Sequence, residues 1–423
     1  MGTKKDALTG LEKRWILYDV GNSAFTMLVS TIIPIYFKNI AAANGVSDAD
    51  STAWWSYAIS ISTIIVAILG PVLGTLADTR GYKKPLFSLF VGLGVLGCAG
   101  LALPLPWAVF LAIFVAAKVG FSGSLIFYDS MLPDISDHSR MDMVSSHGYA
   151  WGYIGSCIPF TLSLLLVLFA EPLGLSTTLA TMLAFVLNAV WWLACTLPLW
   201  LHYRQKYGVA PQKNAFRESF SRLVNTVRDV RVKKPIFLFL LAFFLYIDGV
   251  YTIIDMATSY GKDVGISDTN LLLALLLTQV VAFPCVILFG KLTKRVDTTR
   301  LISICIAGYF FIACFAIQLD KAWEFWFLAV CVAVFQGAIQ ALSRSYFARI
   351  IPKEKSSEYF GFFDIFGKGA AFTGTMLMGI STQLTDSSRS GVVVIALMFV
   401  AGYLVFRVAA KKNAPLLAAE EEQ

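Results

Sequence analysis

The sequence predicts an all-α membrane protein with twelve transmembrane helices arranged as two six-helix bundles. Three observations support this prediction: a strongly apolar composition, long apolar runs that recur at regular intervals, and an uneven distribution of positive charge between alternate loops. Of the 423 residues, 57% are hydrophobic and 14% are charged, and the mean hydropathy is +0.70. This composition is more apolar than that of ordinary globular domains. The ten-residue alternating segments of a membrane β-barrel do not appear in the sequence.

Apolar runs long enough for a helix to cross about 30 Å of hydrocarbon, roughly 20 residues each, recur along the whole chain. The N-terminus shows no cleavage pattern, so no signal peptide is expected. The seven cysteines fall within apolar runs and form no CxxC pair, so we interpret them as small packing residues. The twelve predicted spans are residues 15–37, 54–77, 86–103, 107–133, 148–170, 179–201, 235–260, 269–290, 301–319, 323–350, 358–383 and 390–409.

Positive charge collects in alternate loops. The N-terminal lysines and arginines, the loop after span two and the basic segment 202–234 lie on one predicted side, whereas the opposite side holds only Lys38, Lys262, Lys321 and Arg389. The positive-inside rule places the basic side and both termini in the cytoplasm. The net charge of +7 is therefore explained by the orientation of the chain in the membrane, and we expect no nucleic-acid partner.

The polar segment 202–234 divides the chain into two sets of six spans. We predict an N-terminal six-helix bundle over 1–201, a basic cytoplasmic linker with an amphipathic helix over 202–234, a C-terminal six-helix bundle over 235–412 and an acidic cytoplasmic tail over 413–423. Matches six spans apart, such as LYDVGNSAF in span one and LYIDGVYTI in span seven, indicate a duplication. Two parallel six-helix repeats related by a pseudo-two-fold axis are the plan of major facilitator transporters, whose substrate site lies between the halves.

The loop after span two, GTLADTRGYKK from Gly74 to Lys84, resembles the signature of the major facilitator superfamily between its second and third helices. A glycine allows two helices to approach closely, and a carboxylate can cap a helix N-terminus. We therefore expect Gly74 and Asp78 to meet the start of span eleven, near residues 356–357. With Gly81 and Lys84 they form a candidate cytoplasmic gate.

Four further segments carry a more specific resemblance. YDVGNSAF, GYAWGYIGS, QALSRSYFARIIP and FGFFDIFGKGAAFTG are similar to segments of the vacuole-effluxer family, whose members include fungal vacuolar amino-acid exporters. The resemblance is to the bacterial branch and extends over nearly the whole chain. It implies a secondary transporter of a bacterial inner membrane, with a small polar solute as substrate and efflux as the direction.

Eight ionisable residues lie within the predicted spans, where each is costly unless it faces a cavity or a partner. They fall in spans one, four, seven, ten and eleven, and helical spacing gives each of these spans a polar stripe. Such stripes indicate a water-accessible pathway between the halves. The eight residues are Asp19, Lys118, Asp129, Asp248, Asp255, Arg344, Asp364 and Lys368.

Depth along the spans separates three candidate roles. A carboxylate in a low-dielectric cavity that gains and loses a proton as access alternates is a coupling site, and the candidates are Asp248 and Asp255. The candidates for the substrate cavity are Asn22, Lys118, Ser122, Tyr153, Tyr251, Gln336, Gln340 and Lys368, with the lysines holding an anionic group. The candidates for the cytoplasmic gate are Asp19, Gly74, Asp78, Gly81, Lys84, Asp129, Arg344 and Asp364.

Purely structural interpretations of these residues stay open. Asp364 and Lys368 could be an intrahelical ion pair, Asp248 a buried carboxylate held by hydroxyl groups, and Lys118 a charge paired only to allow insertion. Other functional classes also remain: a drug or lipid exporter, favoured by a mostly apolar cavity, and a non-transporting receptor or scaffold. No nucleophile–base arrangement, nucleotide loop or histidine cluster points to an enzyme, cofactor or metal site. A monomer suffices for this fold.

Overall fold

The computed structural model describes residues 7–210, 234–263, 268–385 and 388–421. For a few stretches within these ranges, chiefly 255–272, it describes the backbone only. The amphipathic helix predicted in the linker lies outside the described residues. The long helices of the described ranges are α1 (Gly10–Ala43, as Gly10–Ser30 and Ile32–Ala43), α2 (Asp48–Ala77), α3 (Lys83–Gly100), α4 (Trp107–Ser130), α5 (Met141–Leu168), α6 (Thr177–His202), α7 (Lys234–Asp263), α8 (Asp268–Leu292), α9 (Thr298–Ala316), α10 (Ala322–Ile350), α11 (Ser356–Thr385) and α12 (Ser388–Glu421).

The all-helical prediction is confirmed for this part of the chain. Ten of the helices have the length and hydropathy of a membrane span, α8 contributes the shorter apolar stretch Leu276–Leu292, and α11 carries Asp364 and Lys368. Several helices begin before the predicted spans, such as α5 at Met141 rather than at residue 148, and some end earlier, such as α3 at Gly100 rather than at residue 103. Helix α12 continues through the predicted acidic tail to Glu421. A hydropathy pattern does not detect helix turns that lie outside the hydrocarbon core, because these turns are polar.

The first helix shows how local chemistry sets helix boundaries. It begins at Gly10 because Thr9 and Glu12 form a capping box: the Thr9 hydroxyl accepts from the Glu12 N–H at 3.2 Å, and Glu12 Oε2 accepts from the Thr9 N–H at 2.7 Å. It is interrupted at Thr31 because Pro34 lacks an N–H and its ring clashes with the carbonyl one turn earlier.

The helices pack as two groups of six. Within the first group α1 packs on α5 and α6, and α3 packs on α4; within the second α7 packs on α12 and α11, and α8 packs on α10. The groups meet where α2 and α4 contact α11 and where α5 contacts α8 and α10. Of the spans that hold the ionisable residues, four, ten and eleven contact the other group, and spans one and seven pack on helices that do so.

Glycines set the close approach of α3 and α4. A Cβ on Gly120 would lie 2.3 Å from the Gly94 nitrogen, and a Cβ on Gly94 would lie 2.3 Å from the Trp192 ring of α6. Neither distance is sterically possible, so both positions require glycine at this spacing. Gly94 and Gly97 of the segment GLGVLG are thus packing positions, since a Cβ on Gly97 would lie 2.7 Å from Ala117 of α4.

We predict that Gly94→Ala destabilises the protein, because the added methyl group overpacks a filled site; overpacking typically costs about 1–3 kcal/mol. The measurement is the midpoint of thermal unfolding in detergent, which should fall by several degrees. Gly92→Ala on the same helix is the matched control, since a Cβ there meets no atom within 4 Å. Equal midpoints for the two variants would contradict this account of α3 packing.

Candidate transport pathway and gate

Both ends of the described chain lie on one side of the helix bundle. Glu12 at the start of α1 pairs with Arg140 just before α5 at 2.7 Å, and Asn413 near the end of α12 donates to the Pro235 carbonyl at 3.0 Å. The loop after α2 is on the same side. We call it the basic side, because the loops rich in lysine and arginine belong to it.

Arg344 of α10 reaches across the interface and binds two acids of the other half. Its Nη1 lies 2.9 Å from Asp129 Oδ1 and 3.5 Å from Asp19 Oδ2. Its Nε donates to the Ser145 hydroxyl at 2.9 Å and its Nη2 to the Ser145 carbonyl at 3.0 Å. Arg344 is 2% exposed. Three predicted gate residues therefore form one buried, charge-assisted cluster.

Aromatic rings complete this cluster. The Arg344 guanidinium lies 4.7 Å from the Trp15 ring centroid and 4.4 Å from that of Tyr149, a geometry that favours cation–π attraction. Gly148 leaves the necessary room, because a Cβ there would lie 2.8 Å from Asp19 Oδ2. Sequence reasoning missed Ser145 and the role of Trp15; the only signal was the small-residue stretch SSHGYAWG.

Asp78 ties the two halves together at the start of α11, as expected from the signature loop. Its two carboxylate oxygens accept from the backbone N–H groups of Ser357 at 2.8 Å and Glu358 at 2.9 Å. A Cβ on Gly74 would lie 2.4 Å from the Ser357 carbonyl oxygen. Burial raises the pKa of Asp78 to about 7, although the nearby Lys83 and the N–H donors favour the ionised form. The predicted contact is confirmed.

The lysine at this contact is Lys83, and the predicted gate residue Lys84 does not take part in it. Lys83 Nζ is fully buried and donates to Asp134 Oδ2 at 3.1 Å and, across the interface, to the Ser356 hydroxyl at 3.0 Å. Lys84 instead lies over the Trp200 ring at 5.3 Å. One residue is about 100° around a helix, so a neighbouring position faces away from the interface.

Gly81, another predicted gate residue, lies in the signature loop. It adopts a positive φ of 90° and donates its N–H to the Gln205 side chain at 3.0 Å. The adjoining Arg80 N–H donates to the Val209 carbonyl at 3.0 Å, and the Val209 N–H donates to the Asp78 carbonyl at 2.7 Å. Gly81 therefore helps fasten residues 203–209, the first part of the predicted linker, to the signature loop.

A second polar contact joins the halves where α5 begins. Asp142 accepts from the Ser345 hydroxyl at 2.5 Å, the Thr298 hydroxyl at 2.6 Å and Arg349 Nη2 at 3.1 Å. Sequence reasoning missed it because Asp142 lies outside the predicted spans and Arg349 at the very end of one.

The contacts of Arg344, Asp78, Lys83 and Asp142 all join the halves at their basic-side ends. The protein is therefore closed toward the basic side.

Asp364 and Lys368 form the intrahelical ion pair that one interpretation anticipated, with Lys368 Nζ 2.5 Å from Asp364 Oδ2. Their side chains are 16% and 23% exposed, so the pair is partly accessible. Lys118 of α4 lies over the Phe121 ring at 5.2 Å and is close enough for its charge to act on Asp364. The charge of Lys118 on α4 therefore acts on the Asp364–Lys368 pair of α11.

The other predicted cavity residues are distributed along the interface. Gln340 donates to the Tyr153 hydroxyl across the halves at 3.3 Å, and Gln336 lies one turn earlier on α10. Among the remaining candidates, Asn22 and Ser122 are buried and Tyr251 is half-buried.

Asp248 lies halfway along α7 and is fully buried. Its Oδ1 accepts from the Gly374 N–H of α11 at 2.7 Å and from the Thr252 hydroxyl at 3.4 Å. Its Oδ2 has no hydrogen-bond partner, and it makes no ion pair, among the described side chains. The hydroxyl-held carboxylate was one anticipated interpretation; the contact with a backbone N–H was not. The side chain of Asp255 lies outside the described part.

A cavity of about 130 Å³ opens one turn from Asp248, inside the second group of helices. Its lining is mostly aliphatic, and Thr252 and Gln336 are among its few polar residues. The expected polar cavity lies between the halves, so this apolar cavity is a different feature.

The helix arrangement and the charged interface define a secondary transporter of the major facilitator superfamily. The fold is similar to that of the human organic anion transporter MFSD10, with a TM-score of 0.72 and 12% identity over 93% of this chain and 99% of that one. It is equally similar to the transporter FucP in the outward conformation, with a TM-score of 0.72 and 13% identity over 95% and 97%. The predicted fold class is confirmed.

Residues 11–415 match the model of the Atg22-like vacuole effluxers, and the chain belongs to this family. It is 43% identical over 403 residues to the MFS-type transporter YxiO of Bacillus subtilis, covering 94% of each chain. It is 24% identical over 466 residues to autophagy-related protein 22 of Saccharomyces cerevisiae, covering 89% of this chain and 87% of that protein. The protein is thus a multi-pass transporter of a small molecule in a lipid environment, and not an enzyme.

We predict that Arg344→Gln lowers stability by roughly 3–5 kcal/mol, because it leaves two buried carboxylates without their cation. The midpoint of thermal unfolding in detergent measures this loss. Adding Asp129→Asn to the variant should recover part of it, since one uncompensated charge is removed. Arg407→Gln is the control, because Arg407 is exposed and contacts only Tyr403 in the described structure. Equal losses at Arg344 and Arg407 would rule out this role for the cluster.

Proposed function

We propose that the protein is a proton-coupled exporter of a small polar solute, such as an amino acid or a related metabolite, working by alternating access. The observation that carries this proposal is Asp248, a mid-membrane carboxylate that is fully buried without an ion pair among the described side chains. An isolated ionised carboxylate is costly in a medium of low polarity. A proton that binds Asp248 in one access state and leaves in the other neutralises the carboxylate in the first state, so the cost of burying its charge is avoided there.

Charge balance separates Asp248 from the other acids. Asp19, Asp129 and Asp364 are three negative charges that contact or adjoin three positive ones, Arg344, Lys118 and Lys368. This network is neutral when fully ionised. The excess negative charge in the spans belongs to Asp248 and Asp255, which are therefore the proposed coupling residues.

The substrate is proposed to bind between α4 and α11. Lys118 is close enough to act on Asp364 there, and both members of the Asp364–Lys368 pair are partly accessible. A carboxylate group of the substrate would be attracted to the two lysines. Tyr153, Gln336 and Gln340 offer further polar contacts along the same interface.

Opening toward the basic side would break the bonds of Asp78 to α11 and the ion pairs of Arg344. These residues form the proposed gate. We place the protein in a bacterial inner membrane as a monomer with both termini in the cytoplasm, because the basic loops share the side of the termini. The description of the family supports the proposed direction, efflux.

A second candidate is an exporter of amphipathic molecules, such as a drug or a lipid. The observation that favours it is the mostly aliphatic lining of the 130 Å³ cavity beside Asp248. Competition of apolar and polar solutes for transport would distinguish the two substrate classes.

The test of coupling is transport in proteoliposomes under an imposed pH gradient. We predict that wild-type protein accumulates substrate against its gradient, and that Asp248→Asn abolishes accumulation while retaining downhill exchange, because an amide cannot carry a proton. Asn is close to Asp in size, so binding and folding should persist. Lys118→Gln should instead weaken substrate binding and leave coupling intact. Accumulation by Asp248→Asn at the wild-type level would refute the proposed role.

A further inference from the structure

The guanidinium of Arg344 lies in a site that the first half of the chain builds. Its Nη1 lies 2.9 Å from Asp129 Oδ1 and 3.5 Å from Asp19 Oδ2, and its Nε and Nη2 donate to the hydroxyl and the carbonyl of Ser145. Three aromatic rings lie near it, with centroids 4.4, 4.7 and 5.6 Å from its central carbon. We call this site the guanidinium cage, and its members on α1, α4 and α5 are Trp15, Asp19, Tyr128, Asp129, Ser145 and Tyr149.

Two rings of the cage are held in place by contacts within the first half. The Trp15 ring stacks on the Tyr128 ring with 4.3 Å between centroids, and Trp15 Nε1 donates to the Tyr128 carbonyl at 3.0 Å. The Tyr18 ring also packs on Tyr128, and its hydroxyl donates to Ser124 at 2.6 Å. None of these contacts uses the second half, so this part of the cage keeps its shape when Arg344 withdraws.

Two buried carboxylates of the cage face the Arg344 guanidinium. Nη1 donates to Asp129 Oδ1, whereas Asp19 Oδ2 has only the 3.5 Å ionic contact and no hydrogen-bond partner among the described side chains. Asp19 is 7% exposed. When Arg344 withdraws, both carboxylates lose their cation, and a buried carboxylate without a cation is strongly unfavourable. A mobile cation that reaches the cage from the basic side offsets this cost.

We propose that the guanidinium cage binds the guanidinium group of a small solute, in place of Arg344, when the halves part at the basic side. This inference rests on the proposed alternating access and specifies the substrate class further. A guanidinium fits better than an ammonium, because its planar fork matches a carboxylate and its faces stack on aromatic rings. An ammonium is a point charge and lacks the fork.

The neighbouring charges indicate which guanidinium solute fits. Asp364 is close enough for its charge to act on Asp129 of the cage, and Asp364 pairs with Lys368, one of the two lysines proposed to attract a substrate carboxylate. A solute with a guanidinium at one end and a carboxylate at the other has a group of the right charge for each place. Arginine is such a solute.

The cage is a loading site in this scheme. Arg344 and the solute compete for the same carboxylates, so the gate closes only after the solute has moved from the cage deeper into the pathway. Loss of Arg344 should therefore strengthen binding, which is the opposite of what loss of a merely structural residue does.

Equilibrium binding of radiolabelled arginine to the purified full-length protein in detergent tests this proposal. We expect saturable binding that methylguanidinium displaces. Citrulline should compete about tenfold or more weakly, because its urea group has a similar shape without the charge. Lysine should also compete more weakly than arginine, because its ammonium cannot form the planar fork.

Variants separate the cage from the rest of the gate. Arg344→Ala should raise the affinity for arginine about tenfold or more, since it removes the competing group. Asp78→Asn weakens the contact with α11 outside the cage and should raise the affinity as well, which gives a second test that leaves Arg344 in place. Asp129→Asn should lower the affinity. Arg389→Gln is the control, because Arg389 forms an exposed ion pair with Asp320 far from the cage.

Gel filtration checks that each variant is folded. Equal competition by citrulline and arginine, or full binding by folded Asp129→Asn, would overturn the proposal. The same holds if folded Arg344→Ala and Asp78→Asn bind arginine no more tightly than the wild type. Accumulation of another polar solute under a pH gradient without arginine binding would overturn this site and leave the proposed function standing. Arginine binding with the expected variant effects but without such accumulation would support the site and overturn the proposed coupling.

Discussion

The ion pairs that Arg344 makes with Asp129 and Asp19 are the interaction on which the closed arrangement depends. All three residues are held in a region of low polarity, where an ion without a partner is strongly unfavourable. Because Arg344 belongs to one half and the two acids to the other, the charges can be satisfied together only when the halves meet at the basic side. Trp15 and Tyr149 exclude water from the guanidinium and so strengthen that requirement.

Glycine contacts repeat around this centre in both halves. Gly74 at the end of α2 packs on the start of α11, and Gly290 at the end of α8 packs on Ser146 near the start of α5. A close glycine contact is present at both places, while the polar contact beside it differs. Asp78 caps the helix it faces, whereas the second contact uses Asp142, which lies on α5 itself and binds Arg349. In the first contact the acid, Asp78, follows the helix that carries the glycine. In the second contact the acid, Asp142, lies on the helix that faces the glycine.

The fold was accessible from the sequence because its determinants are local. Apolar runs, turn-forming loops and alternating positive charge each predict membrane helices without knowledge of contacts. The contact of Asp78 with α11 could be expected, because the loop resembles a known signature in which a carboxylate can cap the N-terminus of a helix in the other half. The choice of Lys83 over Lys84 could not, because it depends on the rotation of α3 by one residue.

Partners distant in sequence were the part that pattern reasoning missed. Ser145 binds Arg344 from 199 positions away, and the Gly374 N–H meets Asp248 from 126 positions away. A backbone donor has no signature in the side-chain pattern. The apolar cavity was equally hidden, because its wall combines residues of six helices, each of which looks like ordinary packing.

Helix α11 joins the features that the proposed mechanism must coordinate. Its N-terminus is capped by Asp78, its next turns carry the Asp364–Lys368 pair, and Gly374 binds Asp248. The Asp248 contacts lie within one half, so opening of the basic side need not break them, whereas the Asp78 and Arg344 contacts cross the interface and must break. A change of occupancy at Asp248 can therefore reach the gate through α11, a single continuous helix, without disrupting the carboxylate's own hydrogen bonds.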